Sequence, residues 1–216
     1  MATDRDLKDK VVAELEWEPA VDANSIAVAV DDGVVTLAGE VETLAHKGAV
    51  AAAVRRVAGV RAVALELDVK LAIPHRRSDA EIATHAGAAL QSNTLIPADA
   101  IRLTVDDGRI TLQGEVPWEF QRRAAQRAVS QLIGVVEIRN EIRLRTNPQP
   151  ADLAQRIEDA LSRQAWREAR HIDVVVDGTT VKLTGLVNSW HDRETAEAAA
   201  WRAPGVERVV NELLSV

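Results

Sequence analysis

Histidine is the side chain in this sequence best suited to metal binding or acid–base chemistry, because the chain contains no Cys. The five histidines are spaced irregularly. None forms an H-x₃-H or HExxH pair of the kind that brings two ring nitrogens to one metal. The pattern favours ordinary surface or boundary side chains, and it predicts no metal site, no catalytic residue and no cofactor. These residues are His46, His75, His85, His171 and His191.

Carboxylates stand side by side in two Asp-Asp-Gly segments, at 31–33 and 106–108. A calcium loop of the EF-hand type needs alternating oxygen ligands over twelve residues ending in Glu, so these segments are too short. Asp favours tight turns because its side chain bonds the nearby backbone. The segments are therefore interpreted as turns. No nucleophile–base or paired-carboxylate arrangement stands out, so the sequence predicts a protein that is not an enzyme.

These turns belong to a longer phrase that occurs three times. Residues 31–41 return closely as 106–116, and a looser copy occupies 177–187. The third copy has one more residue between its two glycines, which indicates a one-residue insertion. Self-similarity of this kind predicts a tandem array of units of about 70 residues. The predicted domains are 1–73, 76–146 and 150–216.

Three glycines mark corresponding points in each copy. The first lies in the turn between two strands, where Gly supplies a positive φ. The second comes late in the following strand, and the third follows a helix and ends it. The predicted structural glycines are Gly33, Gly39, Gly59, Gly108, Gly114, Gly134, Gly178, Gly185 and Gly205.

Each copy reads as helix, strand, strand, helix, strand. Apolar residues at i, i+4 and i+8, such as Leu7, Val11 and Leu15, predict a first amphipathic helix. Ser78 followed by Glu81 is typical of a capping box. The prediction is an α+β fold of three tandem αββαβ domains, each a three-stranded mixed sheet with two helices on one face. Pro150 is interpreted as the first-turn proline of the third copy's first helix.

With these elements in place, the sequence resembles the BON family (bacterial OsmY and nodulation domains). The resemblance rests on the Asp-Gly turn, the phrase Val-x-Leu-x-Gly-x-Val and the later Gly-Val-x-x-Val-x-Asn. It implies an αββαβ fold and non-enzymatic roles in envelope or osmotic-stress maintenance, contact with phospholipid surfaces and, in some members, ion sensing. The first copy departs from the pattern where Leu65 replaces the Asn. The second copy carries the pattern as Gly108, Ile110, Leu112, Gly114, Val116, Gly134, Val135, Ile138 and Asn140.

Net charge is −7, which argues against broad attraction to nucleic acid or anionic lipid. The charge is uneven, however: −5 over residues 1–73, +1 over 74–147 and −3 over 148–216. Basic and aromatic residues lie together on the second helix of the middle copy, a composition typical of membrane-surface or anionic-partner patches. A solvated helix face with a packed Trp is the alternative. The residues are Trp118, Phe120, Arg122, Arg123 and Arg127.

Trp190 and Trp201 are eleven residues apart, so they share one face of the third copy's second helix with Glu194 and Glu197. Trp201 stands where the other copies have polar residues. It predicts either a contact between units or chains, with a homo-oligomer as one possibility, or a ring that covers the third core from its edge. Two further rings, Trp17 and Trp166, follow first helices and are expected in local cores.

The combined prediction is a non-enzymatic stress-response binding or scaffold protein that contacts phospholipid surfaces or partner proteins. The alternative is a small-ligand or cation-sensing module with a site between domains. Nucleic-acid binding is disfavoured because basic residues are outnumbered and no aromatic stacking motif occurs. The sequence contains no stretch of about 20 apolar residues that could span a membrane. As written it is expected in the cytoplasm, or in the periplasm if a signal peptide has been removed.

Overall fold

The computed structural model describes residues 3–145, 153–163, 172–187 and 189–215. The first repeat consists of α1 (Asp4–Trp17), β1 (Ile26–Asp31), β2 (Val34–Val41), α2 (Leu44–Arg56) and β3 (Ala62–Val69). The second consists of α3 (Asp79–Ser92), β4 (Ile101–Asp106), β5 (Arg109–Val116), α4 (Glu119–Ser130) and β6 (Glu137–Leu144). The third consists of α5 (Leu153–Arg163), β7 (Ile172–Asp177), β8 (Thr180–Val187), α6 (Trp190–Trp201) and β9 (Arg208–Ser215).

Each repeat builds its own three-stranded sheet, with the second strand in the centre. In the first and third repeats the opening hairpin is antiparallel, and the closing strand runs parallel to the central one. The parallel pairing follows from the helix between the two strands, since a crossover of that length returns the chain to the same end of the sheet. The predicted α+β fold of three mixed sheets is confirmed. The domain boundaries 1–73, 76–146 and 150–216 stay a prediction.

The first helices are set by the predicted apolar stripes and by their caps. Leu7, Val11 and Leu15 are all buried, as are their counterparts in α3 and α5. The predicted capping box of Ser78 and Glu81 is present. The Ser78 hydroxyl and the Ser78 backbone N–H both donate to the Glu81 carboxylate. These two hydrogen bonds, the one from the hydroxyl most of all, hold the pKa of Glu81 below its ordinary value. This contact therefore stabilises the helix above the ordinary pKa of Glu and is lost as pH falls through the lowered pKa. Pro150 lies outside the described residues.

Both helices of a repeat bury their apolar faces in the same core. In the first repeat, Leu7 of α1 and Val54 of α2 belong to one cluster with Val35 and Leu37 of the central strand. The buried hydrophobic residues described in all three repeats are Val, Leu, Ile and Ala. The helices therefore cover one face of the sheet, and the side chains on the other face are exposed or half-buried.

The prediction that Trp17 lies in a local core is wrong, because its side chain is 83% exposed. It is the last residue of α1 and lies two positions beyond Leu15. Two positions rotate a side chain by about 200° around a helix, so Trp17 is on the side opposite the buried stripe. The position of Trp17 around the helix, and not its hydrophobicity, therefore determines its exposure. Trp166 lies outside the described residues.

The expected one-residue insertion in the third copy is also wrong. The hairpins of the second and third repeats each have six cross-strand pairs and a two-residue turn. The carbonyl of Gly108 accepts the Val136 N–H, and the carbonyl of Thr179 accepts the Glu207 N–H in the same way. Thr179 therefore occupies the position of Gly108. The glycine has moved one position earlier within a turn of unchanged length.

The shifted glycine changes the type of turn. In the second repeat both turn residues have positive φ, 48° at Asp107 and 72° at Gly108, as a type I′ turn requires. In the third repeat Gly178 has φ 52°, while Thr179 is not among the described residues with positive φ. That combination is the type II′ turn, in which Gly takes the first position. Thr179 is tolerated because its position no longer needs a left-handed backbone.

The glycine of the central strand is required by a close backbone approach. Gly39 and Gly114 have φ of 146° and 145°. A Cβ on Gly39 would fall on the carbonyl oxygen of Ser25, and a Cβ on Gly114 would fall on that of Ala100. Each of these carbonyls immediately precedes the first strand of its repeat. Only glycine lets the start of the first strand lie against the central strand at this point.

We expect Gly114→Ala to destabilise the second repeat by about 2 kcal/mol or more, because the new Cβ must displace backbone rather than a side chain. Gly87→Ala is the matched control. Gly87 lies in α3 with open space around it, so the substitution should stabilise by about 0.5–1 kcal/mol. A urea titration of the full chain, followed by the methyl NMR signals of Ile110 and Ile142, measures both changes. Equal effects of the two substitutions would contradict the close approach at Gly114.

Candidate functional site

The candidate patch of the second repeat lies on α4, which runs from the end of β5 across the sheet. Ala124, Ala125 and Val129 are buried, so they define the face of α4 that packs on the core. The side of α4 away from these three residues faces solvent, except in the first turn, where Glu119 is buried as well. The position of each predicted residue around this helix decides whether it can contact a partner.

Phe120, Arg123 and Arg127 share the exposed side of α4. They are spaced i, i+3 and i+7, and both arginines are exposed. Phe120 is 52% exposed and is one of several large apolar side chains at the surface of the described residues. The three side chains therefore form a stripe with an apolar ring at its beginning and two cations further along. This stripe is called the α4 patch below.

Arg122 and Trp118 occupy different positions from the α4 patch. Arg122 is half-buried, and its backbone carbonyl accepts a hydrogen bond from the Asn140 side chain at 3.2 Å. Trp118 is half-buried in the position that immediately precedes α4. The equivalent residues in the other repeats, Thr43 and Ser189, are N-caps whose hydroxyls accept the His46 and Asp192 N–H groups. An indole has no acceptor for such a bond, so the second repeat has exchanged a capping hydroxyl for an aromatic ring.

The α4 patch occurs in the second repeat only. The positions equivalent to Phe120, Arg123 and Arg127 carry no Phe, Tyr, Trp, Lys or Arg in the other two copies. The fold therefore does not require these three side chains, since two copies form the same helix without them. The equivalents are Ala45, Gly48 and Ala52 in α2, and His191, Glu194 and Ala198 in α6.

Trp190 and Trp201 lie on α6, and both indoles are held by the helix itself. The Trp190 N–H donates to Glu194 at 3.1 Å, and the Trp201 N–H donates to Glu197 at 3.3 Å. The Arg193 guanidinium also lies 5.1 Å from the centre of the Trp190 ring. Trp201 is half-buried and packs against the third core. This packing supports the alternative in which Trp201 covers the core from its edge, and a role in contacts between chains stays a prediction.

Sequence reasoning did not find the role of the Asn in the closing strand. The Asn211 side chain donates to the carbonyl of Arg193 at 3.1 Å and to Glu197 at 3.1 Å, and it accepts the Leu213 N–H at 3.2 Å. Asn140 makes the equivalent contacts to α4. One amide thus ties the second helix to the closing strand in each of these repeats. Comparison of the three copies could have indicated this role, because the second and third copies have Asn where the first has Leu65.

The first repeat makes this connection with a different group. The Leu65 side chain cannot donate a hydrogen bond, but Lys47 of α2 donates through Nζ to the carbonyl of Leu67 in β3, at 2.7 Å. Lys47 stands at the position of Arg193, whose guanidinium likewise donates to a closing-strand carbonyl, that of Asn211, at 2.9 Å. The first repeat therefore keeps the contact from the helix cation and lacks the contact from the Asn.

In the described part of the chain, no three His, Asp or Glu side chains lie close enough together to hold an ion. The Asp79 carboxylate instead accepts both turn N–H groups, from Asp107 at 3.0 Å and from Gly108 at 2.9 Å. Asp4 holds the first turn in the same way. The position of Asp79 is taken by Pro150 in the third repeat, where the turn is of the other type. His171 lies outside the described residues.

No helix in the described ranges combines the length and the hydrophobicity that crossing a bilayer requires. The described fold and site define a tandem array of small αββαβ domains with different helix surfaces. The BON domain model matches residues 3–70, 78–146 and 150–215, and the chain belongs to this family.

The chain is similar to osmotically-inducible protein Y of Escherichia coli (strain K12). The two are 26% identical over 138 residues, which cover 62% of this chain and 69% of the relative. Among solved structures, the C-terminal domain of CdsD, a structural protein of the type III secretion system of Chlamydia trachomatis, is 14% identical and covers 98% of both chains. A second CdsD structure covers 98% of this chain and 92% of its own. Both TM-scores are 0.27, which is too low to support an argument about fold or function.

We expect Asn140→Leu, which introduces the first repeat's residue, to destabilise the second repeat by about 1–2 kcal/mol. The Arg122 carbonyl and the Ile142 N–H lose the Asn140 side chain as a partner, and a leucine side chain offers neither a donor nor an acceptor in its place. Gln113→Leu removes an exposed amide from the outer face of the same sheet and should change stability by less than about 0.5 kcal/mol. Native-state hydrogen exchange of the full chain at the β5 amides measures both. Indistinguishable values would show that the Asn does not tie helix to strand.

Proposed function

We propose that this protein is a non-enzymatic scaffold of the stress response that contacts anionic phospholipid surfaces through the α4 patch. The observation that carries the proposal is the exposed stripe of Phe120, Arg123 and Arg127 in the one repeat with a positive net charge. An apolar ring can enter the headgroup region, and guanidinium groups beside it can bind phosphates bidentately. Similarity to osmotically-inducible protein Y supports the stress-response part of the proposal.

The acidic total charge does not oppose this mode of contact. At physiological ionic strength, charges more than about 8 Å apart in solvent are largely screened. A membrane therefore interacts with the charges of the face that approaches it more than with the total of −7. Each Arg near an anionic surface contributes about 1 kcal/mol of attraction, so two of them with a partly inserted ring give weak, reversible and salt-sensitive binding.

The surfaces of the other two second helices support the assignment of the proposed contact to the second repeat. The same side of α2 carries Ala45, Gly48 and Ala52, which offer neither charge nor a large apolar group. On α6 the position of Arg123 is taken by Glu194, which anionic headgroups repel. A scaffold role requires that the remaining surfaces be available for other contacts. The compartment in which the protein works stays a prediction.

We expect Arg123→Glu with Arg127→Glu to lower binding to phosphatidylglycerol-containing vesicles at least tenfold, because two attractions become repulsions. Co-sedimentation of the full chain with large vesicles measures this, and phosphatidylcholine vesicles serve as the uncharged reference. Raising the salt concentration should weaken the wild-type binding.

The matched control for this experiment is Arg139→Glu with Arg143→Glu, which makes the same charge change on the outer sheet face of the same repeat. Both control residues are exposed in β6. The control should retain most of the binding. Equal losses in the two variants would indicate a response to total charge alone, and unchanged binding after substitution of Arg123 and Arg127 would exclude the α4 patch.

A further inference from the structure

A cleft of about 580 Å³ opens in the first repeat, where the loop after α1 meets the end of β2 and the first turns of α2. Its floor is apolar and consists of side chains that also belong to, or pack against, the first core. The volume is within the range of small-molecule sites, which bury most of the ligand against apolar walls. The floor residues are Val21, Ile26, Val41 and Val50.

The rim of the cleft is negatively charged. Lys70 donates to Glu40 at 2.8 Å, so these two opposite charges form a pair. Glu40 favours the charged ammonium and raises the pKa of Lys70 above its ordinary value. Asp22 and Glu42 provide two further carboxylates, and His46 completes the polar rim. The rim thus has an excess of negative charge above an apolar floor.

These two rim carboxylates have unused acceptor capacity within the described part of the chain. Asp22 accepts through Oδ1 from the N–H and the side-chain amide of Asn24, while no described residue donates to its Oδ2. No described residue donates to the carboxylate of Glu42 either. A ligand that donates hydrogen bonds can therefore be bound here without breaking an existing contact.

Comparison with the second repeat shows that the fold needs the floor but not this rim. The positions of Ile26 and Val41 carry Ile101 and Val116, which keep the apolar character. The rim positions do not keep theirs. Asp22, Glu42 and His46 are replaced by Pro97, Pro117 and Gln121.

We propose that this cleft binds an aliphatic primary amine, with its ammonium group between Asp22 and Glu42 and its hydrocarbon chain on the floor. The carboxylates select a cation that donates hydrogen bonds, and the apolar floor favours a ligand with an alkyl body over a hydrated inorganic ion. The cleft is lined by no Phe, Tyr or Trp side chain, so a quaternary ammonium group would lack the cage of such rings that it prefers.

The probe is n-hexylammonium chloride, titrated into the ¹⁵N-labelled full chain and followed by amide NMR shifts. We expect saturable shifts at Val21, Val41 and His46. Hexanol has the same alkyl chain without the charge and should bind at least tenfold more weakly. Hexanoate reverses the charge and should give no saturable shift at these residues. Potassium chloride at equal ionic strength should not reproduce the shifts.

The test variant is Asp22→Asn with Glu42→Gln, which keeps the side-chain shapes and, at position 22, an oxygen for Asn24. It should bind hexylammonium at least tenfold more weakly. The matched control, Glu66→Gln with Asp68→Asn, removes the same charge from the exposed side of β3 and should bind within twofold of the wild type. Equal binding of hexanol, equal losses in both variants, identical shifts with potassium chloride, or no saturable binding would each overturn the proposal.

Discussion

The fold of the first two repeats depends on one close backbone contact that leaves no room for a side chain. In the first two repeats, the carbonyl that precedes the first strand occupies the space where the central-strand glycine would carry a Cβ. This contact fixes the pairing register, with Ile26 opposite Gly39 and Ile101 opposite Gly114. A shift of one residue would turn every side chain of the strand to the other face. The glycine thus determines which residues of the central strand meet the helices.

Because so few residues determine the αββαβ backbone, the exposed helix surfaces can differ between copies. The second helix carries small residues in the first repeat, a ring with two arginines in the second, and indoles bonded to glutamates in the third. The hydrogen bonds between the second helix and the closing strand differ as well: Lys47 donates in the first repeat, Asn140 in the second, and both Asn211 and Arg193 in the third. The three copies therefore share an architecture but not a surface, and a functional assignment has to be made for each helix face separately.

The helices and strands were predictable from the sequence because the spacing of the apolar residues follows which side chains are buried. Stripes such as Leu7, Val11 and Leu15 reach the core as expected. Helical phase, rather than residue type, explains Trp17, and it could have been applied because Leu15 sets the phase. The third turn could have been predicted, since apolar positions on both sides of it are offset by 71 residues from the second copy, as in Ile82 to Leu153 and Ile110 to Val181. A one-residue insertion would have changed that offset across the turn. The pairing of β7 with β8 agrees with the constant offset.

The candidate site was predictable in composition but not in orientation. Arg122, Arg123 and Arg127 are chemically equivalent in the sequence, but only the buried stripe of α4 shows that Arg123 and Arg127 share the exposed side with Phe120. The cleft of the first repeat was not predictable, because its rim comes from a loop, a strand end and a helix that are distant in the chain. Such sites depend on tertiary structure, which periodicity does not report.

Hydrogen-exchange mass spectrometry of the full chain, with and without phosphatidylglycerol vesicles, tests the central claim most directly. That claim is that a common frame carries membrane contact on one helix face only. We predict slower exchange on vesicles in peptides covering 119–130, with unchanged exchange in the equivalent helices at 44–56 and 190–201. Protection of all three helices alike, or of either outer helix instead of α4, would contradict it.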